Sequence, residues 1–156
     1  MKIGGTTTNQ LLGIALSSSQ VSFCSVVEGS DVIRLVDLPE LNTSLGGEGL
    51  ILSLSWNDTK LAASTQNSSL VVCDVRNDSS SIEVVHQIEN AHQLLGENVP
   101  VWITAFDIHD KNRLVSGGDD MCLKMWDLRE SGSSGPISFN KKTHGAGVTA
   151  VCNLFV

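Results

Sequence analysis

Two adjacent carboxylates, Asp119 and Asp120, stand in the run LVSGGDDMCLKMWDLRE, just ahead of a stretch that ends in Trp126-Asp127. Such a pair can hold a divalent cation, act as an acid pair, or brace a turn. Ser116 and His92 add a hydroxyl and an imidazole. By residue type, Ser116, His92 and Asp120 are the set a nucleophilic ester hydrolase uses. Ester hydrolysis needs an activated nucleophile, a base within hydrogen-bond reach and donors for the oxyanion. No G-x-S-x-G elbow surrounds any serine, which removes one common way of presenting such a nucleophile. His86 and His109 fall on a strand-like stretch and in a loop and read as solvated residues, and His144 reads as structural. The cysteines, Cys24, Cys73, Cys122 and Cys152, form no C-x-x-C pair, and no ligand pair has helical i, i+4 spacing. No metal or cofactor is expected. Each cysteine sits among apolar residues and reads as a reduced core thiol.

The elements that position these residues repeat. LGIALSSSQVSFCSV starts at Leu12, LAASTQNSSLVVCDV at Leu61 and LVSGGDDMCLKMWDL at Leu114, a period of about fifty residues. Each copy runs from an apolar strand through a small polar turn into a second strand. Alternation in Leu123-Lys124-Met125-Trp126 has the period of two that a half-buried strand requires. VIRLVDL (32–38), SIEVVHQI (81–88) and GPISFNKK (135–142) follow as outer strands. LILSLSW (50–56) and VWITAFDI (101–108) precede as inner strands, with Trp56 and Trp102 expected in the core. GVTAVCNLFV (147–156) begins a further unit. Four-stranded meanders at this period are the blades of a β-propeller, and no stretch offers the crossover helices of an α/β fold. The expected fold is all-β: about two complete four-stranded blades plus parts of two others, not closed. Boundaries are expected at 1–44 (partial blade), 45–90 (blade), 91–142 (blade) and 143–156 (start of the next). Gly, Ser and Asn content marks 42–48, 77–80 and 130–135 as the most mobile loops.

Bulk properties narrow the function classes. Hydrophobic residues are 41% and charged residues 17% of the 156, a globular composition. Net charge is −7, and the basic residues are scattered, with no run longer than Lys141-Lys142. A nucleic-acid partner, which needs a clustered basic face, is not expected. No apolar run reaches the roughly 18 residues of a membrane span, so no membrane partner is expected either. The N-terminus makes a poor signal peptide, which points to the cytoplasm and leaves the sequons at Asn42, Asn57, Asn67 and Asn77 with little weight.

The stretch SGGDDMCLKMWD resembles the WD-repeat signature. In that family a turn Asp bonds a His, the His bonds a strand Ser or Thr, and that hydroxyl bonds the Trp. The resemblance implies a structural tetrad of Asp120, His92, Ser116 and Trp126, with Asp119 a solvent-exposed turn residue. It places the Ser-His-Asp set in a buried network, out of reach of substrate. The other units depart from the signature: Cys73-Asp74 and Asn67 in one, Cys24-Ser25 and Ser18 in the other. Those units are expected to hold together by strand pairing and apolar packing alone.

A longer stretch is similar to the middle of the eukaryotic diphthine methylesterase family. The matches are Ala91-His92, Trp102 to Phe106, Ser116 to Asp120, Trp126 to Arg129 and His144 to Val148, with weaker likeness across 11 to 152. The resemblance implies a carboxylic-ester hydrolase with no cofactor. Its implied partner is elongation factor 2, whose diphthine methyl ester it would demethylate during diphthamide synthesis. The alternative expectation is a non-catalytic WD-repeat scaffold for a protein partner. The family's catalytic residues are not assigned by these motifs. Two complete blades cannot close a ring, so the chain reads as an incomplete copy of a longer protein, and its own activity stays open.

Overall fold

The computed structural model describes residues 10–28, 33–37, 43–44, 49–75, 82–130 and 135–152. Every regular element among them is a strand. The first sheet holds β1 (Gln10–Ala15), β2 (Gln20–Glu28) and β3 (Ile33–Asp37), with the two-residue β4 (Thr43–Ser44) paired to the start of β2. The second runs β5 (Ile51–Asn57), β6 (Lys60–Thr65), β7 (Leu70–Val75) and β8 (Ile82–Ile88). A short hairpin, β9 (Gln93–Leu94) and β10 (Glu97–Asn98), follows it. The third runs β11 (Val101–Phe106), β12 (Arg113–Gly118), β13 (Leu123–Asp127) and β14 (Ser138–Asn140). All pairings are antiparallel between sequence neighbours, apart from β4 reaching back to β2. The expected mobile loops lie outside the described residues except for Thr43–Ser44, Glu130 and Gly135.

The repeat is exact in register. Leu12 opposes Cys24, Leu61 opposes Cys73 and Leu114 opposes Trp126. Each following turn places one non-glycine residue in the left-handed region: Ser19, Ser68 and Met121, with φ of 64°, 65° and 61°. A left-handed residue at that point suits a short antiparallel connection. The two inner strands carry the same bulge, between Ile51 and Ser53 and between Val101 and Ile103.

Alternation sorts the core into two layers between sheets. In β7, Val71, Cys73 and Val75 face the first sheet and pack with Val21, Phe23, Leu61 and Ala63. Leu70 and Val72 face the third and pack with Ala62, Val101, Phe106, Leu114 and Trp126. Trp56 is half-buried and meets Phe23 edge-on, ring centres 6.2 Å apart. The inner strands are stitched by hydroxyls: the Phe106 amide donates to Ser55 Oγ at 3.2 Å, and Ser53 Oγ donates to the Thr104 carbonyl at 3.4 Å. Polar bracing is not confined to the third sheet. The Ser69 amide donates to Thr65 Oγ1 at 3.0 Å across the second sheet's turn. This corrects the expectation that the second unit rests on strand pairing and packing alone, because small hydroxyls at the turn take over bracing from the missing carboxylate.

Candidate functional site

The turn between β12 and β13 holds the residues whose chemistry the sequence raised. β12 delivers Ser116, the turn delivers Asp119 and Asp120, and β13 delivers Trp126 across from Leu114. His92 comes from the segment joining the second and third sheets. Its backbone is tied back to the second sheet's turn: the His92 amide donates to Ser68 Oγ at 2.8 Å, and Ser68 Oγ donates to the His92 carbonyl at 2.5 Å. A glycine is required opposite it, because a Cβ on Gly118 would stand 2.8 Å from the His92 ring.

Four side chains then form one chain of hydrogen bonds. Trp126 Nε1 donates to Ser116 Oγ at 2.8 Å. Ser116 Oγ and His92 Nε2 are 2.8 Å apart, and His92 Nδ1 lies 2.7 Å from Asp120 Oδ1. With His92 neutral and protonated on Nδ1, every polar hydrogen has an acceptor: Ser116 donates to Nε2 and Nδ1–H donates to the carboxylate. Asp120 Oδ1 also accepts the Cys122 amide at 3.1 Å. Lys124 joins as a fifth member. Its Nζ lies 3.1 Å from Asp120 Oδ2 and donates to the Ala91 carbonyl at 2.7 Å. Its place on the strand carries no sequence signal beyond alternation, since only the fold swings its ammonium back over the turn.

Burial sets the electrostatics. His92 and Ser116 are 0% exposed and Asp120 1%. Burial pushes the His92 imidazole below its ordinary range, and the hydrogen bond and charge of Asp120 only partly oppose this. For Asp120, burial works to raise the carboxyl, but the His92 bond and charge, the Cys122 amide and Lys124 outweigh it and hold it low. A neutral imidazole beside an ionised, lysine-paired carboxylate follows. The Ser–His–Asp order and spacing match a hydrolytic triad on distances alone. Access does not match: Ser116 is enclosed, and its oxygen already accepts the Trp126 N–H.

Asp119 points the other way. It is exposed, and its Oδ1 accepts the Trp102 indole N–H at 2.6 Å. Asp119 is the exposed turn residue expected, and its bond to the indole adds to that; one expectation is corrected, because Trp102, 38% exposed, is not a core residue. The bulge in β11 that begins at Val101 explains the tryptophan, since a register shift re-aims a side chain that simple alternation would bury. The two aspartates therefore serve different partners on opposite sides of the turn. Among the described residues no three His, Cys, Asp or Glu side chains gather as a cation site.

The remaining candidates are dispersed. His86 is half-buried on β8, and burial and the Lys60 charge push it down. His109 is exposed in the loop after β11, and His144 is half-buried outside any strand. Cys24, Cys73 and Cys122 are buried, and burial pushes the Cys73 thiol up to about 11. Cys152 is exposed, so it is not the core thiol its apolar neighbours suggest. Arg129 clasps Asp110 through two 2.8 Å bonds and Asp127 through one of 3.0 Å, an exposed clamp closing the end of the β12–β13 pair.

Repeated four-stranded sheets stacked face to face, with a Trp–Ser–His–Asp chain locking one turn, define an open segment of a WD40-type β-propeller. No protein-family model matches the chain. It is 28% identical over 124 residues to a diphthine methyltransferase homolog of Dictyostelium discoideum, covering 78% of this chain and 32% of that protein. It is 26% identical over 145 residues to the human diphthine methyltransferase, covering 90% and 31% respectively. The WD repeat-containing protein slp1 of Schizosaccharomyces pombe is 32% identical over 133 residues, covering 83% and 24%. Among solved structures, Chaetomium thermophilum Sqt1 bound to the N-terminus of ribosomal protein L10 superposes with a TM-score of 0.64 at 20% identity, covering 90% of this chain and 34% of that one. The chain thus spans about a third of the length of the diphthine methyltransferases it resembles. Among the described residues no helix is long and apolar enough to cross a membrane.

Proposed function

We propose that the chain is the WD-repeat portion of a cytoplasmic protein that hydrolyses the diphthine methyl ester on elongation factor 2. The observation that carries this reading is the likeness to two diphthine methyltransferases over most of the chain, which takes in the locked turn. In the reaction, water adds to the ester carbonyl, the bond from the acyl carbon to methoxide breaks, and methanol leaves with a proton. The carboxylate of diphthine remains. The name of the relatives, diphthine methyltransferase, points to methyl transfer at diphthine, and the same assay separates the two: hydrolysis releases methanol and needs no methyl donor.

We place His92, Ser116, Asp120, Trp126 and Lys124 in an architectural role, because burial keeps them from any substrate carbonyl. The hydrolytic groups are then sought outside this network. A second reading, a scaffold that docks a protein partner, is favoured by the enclosure of Ser116, which is 0% exposed and whose oxygen already accepts the Trp126 N–H. The test incubates methyl-esterified elongation factor 2 with the purified protein and follows methanol and the mass of the modified peptide. Stoichiometric methanol with loss of the ester supports hydrolysis. Intact ester alongside a stable complex selects the scaffold, and intact ester with no complex rejects both.

A further inference from the structure

Trp102 is both exposed and held. The residue is 38% exposed, and its Nε1 donates to Asp119 Oδ1 at 2.6 Å, a charge-assisted bond that fixes the indole on the open side of the turn. The segment that follows the third sheet is already in place around this pair. The Val148 amide donates to the Gly118 carbonyl at 3.0 Å, and a Cβ on Gly147 would stand 2.6 Å from Asp119 Oδ1. Glycine at 147 therefore keeps a side chain away from the carboxylate. The base of the β9–β10 hairpin meets the same turn: the Val99 amide donates to the His92 carbonyl at 3.2 Å, and the Asp119 amide to the Pro100 carbonyl at 3.2 Å.

The turn does not need this pair in order to form. In the second sheet Gln66 and Leu52 take the places of Asp119 and Trp102, matched through the bulge that both inner strands share. That turn closes with the same backbone bond, the Gln66 amide to the Leu50 carbonyl at 2.9 Å, and has neither indole nor carboxylate. Ser53 Oγ bonds both the amide and the carbonyl of Thr104, so β5 and β11 run side by side and their bulges turn Leu52 and Trp102 out at the same end. Half-buried Leu52 and Leu50, 42% exposed, add apolar surface there. Among the described residues no lysine or arginine pairs with Asp119, and Lys124 is held by Asp120 and the Ala91 carbonyl.

An exposed indole that donates to a carboxylate is suited to a cation. The face of tryptophan is the strongest aromatic site for one, and donation from N–H to an anion pushes further electron density into the ring. The carboxylate adds a full negative charge at the ring edge. A lysine ammonium fits poorly, because it is strongly hydrated and brings three donors to a site that offers a ring face, leucines and a carboxylate oxygen already engaged. A quaternary ammonium has no hydrogen to donate and is satisfied by the ring face and the charge alone. We propose that Trp102 and Asp119 form the subsite for the trimethylammonium group of diphthine. This rests on the reading of the chain as part of a diphthine methyl-ester hydrolase. In diphthine the cationic nitrogen sits on the carbon that also bears the carboxyl group. Seating the cation on Trp102 therefore brings the ester carbonyl to the open side of the turn, away from the enclosed Ser116.

The test labels the tryptophan indoles of the full-length protein with 15N and follows their N–H signals, with the Trp102 signal assigned from Trp102→Phe. Tetramethylammonium chloride should move the Trp102 signal saturably and leave buried Trp126 in place, while ammonium chloride at the same ionic strength should not move it. Trp102→Leu keeps an apolar side chain without a ring and should weaken binding of a diphthine methyl-ester peptide by roughly five- to thirtyfold, with Trp102→Phe recovering most of the loss. Asp119→Asn keeps an acceptor for the indole and removes the charge, so binding should weaken by roughly threefold or more. In the esterase assay these losses should fall on KM, with kcat held within about twofold. A Trp102 signal that ignores tetramethylammonium, or that moves equally with ammonium, overturns the proposal. A trimethyl-lysine peptide that binds as tightly as the diphthine peptide overturns the assignment to diphthine. Failure of the subsite is distinguishable from failure of hydrolysis. Peptide binding that Trp102→Leu weakens, with no methanol released, upholds the subsite and rejects hydrolysis; methanol release with KM unchanged in Trp102→Leu does the reverse.

Discussion

Asp120→Ala and Asp119→Ala provide the sharpest comparison of the roles at the turn. Removing the Asp120 carboxylate strips the acceptor from His92 Nδ1–H at 2.7 Å, the Cys122 amide at 3.1 Å and Lys124 Nζ at 3.1 Å. A buried donor left unmade costs about 1–3 kcal/mol. The three do not add fully: Lys124 keeps the Ala91 carbonyl and, 16% exposed, can swing its ammonium towards water. The net cost should be about 2–4 kcal/mol. Asp119→Ala frees only the Trp102 indole N–H, which is partly exposed and can turn to water, so about 0.5 kcal/mol is expected. For a chain of this size 1 kcal/mol shifts Tm by about 2–4 °C, so the two variants should separate by roughly 3–14 °C. Thermal unfolding and urea titration, followed by tryptophan fluorescence, supply the measurement. Asp120→Asn keeps one oxygen acceptor and should recover at least half of the loss. Equal shifts in the two single variants would refute the reasoning, because a metal site or an acid pair needs both carboxylates and a turn brace needs one.

Two further outcomes follow from burial. His92 has a folded pKa below the ordinary 6.5, so the unfolded chain takes up a proton that the folded chain refuses; stability is full above that value and declines as pH falls below it. The lowered Asp120 carboxyl contributes stability that is full above 3.8 and is lost as pH falls through its folded value. The urea midpoint should therefore drop between pH 7.5 and 5.5 and drop again in the carboxylate range, and a midpoint that rises on acidification contradicts the neutral-imidazole assignment. Thiol labelling should modify exposed Cys152 in the native protein and leave Cys73, buried and pushed up to about 11, unmodified until denaturant is added; comparable rates at both sites would show that the second sheet opens readily.

Sequence alone determined the period, because side-chain alternation and turn chemistry are local: Leu12, Leu61 and Leu114 mark their strands from spacing, and the small residues that follow them mark the turns. Residue type nominated Asp120, Ser116 and His92 as a set, but their joining with Trp126 in one tetrad came only through likeness to a known pattern: Asp120, Ser116 and Trp126 lie within eleven residues of one another on a single hairpin, whereas 24 residues separate His92 from Ser116 and no spacing rule connects them. Tertiary structure decided the rest. Lys124 and Met125 alternate like any strand pair, and only the stacking of sheets turns the lysine onto Asp120 and leaves the methionine half-buried. Trp102 reads as an inner-strand core residue until the bulge in β11 turns it out to meet Asp119. Leu12 and Leu61 are the same residue in the same local pattern, yet one is 40% exposed and the other 0%. The difference is whether another sheet lies against them, and burial is a property of neighbours brought by the fold, which a residue's own stretch of chain does not encode.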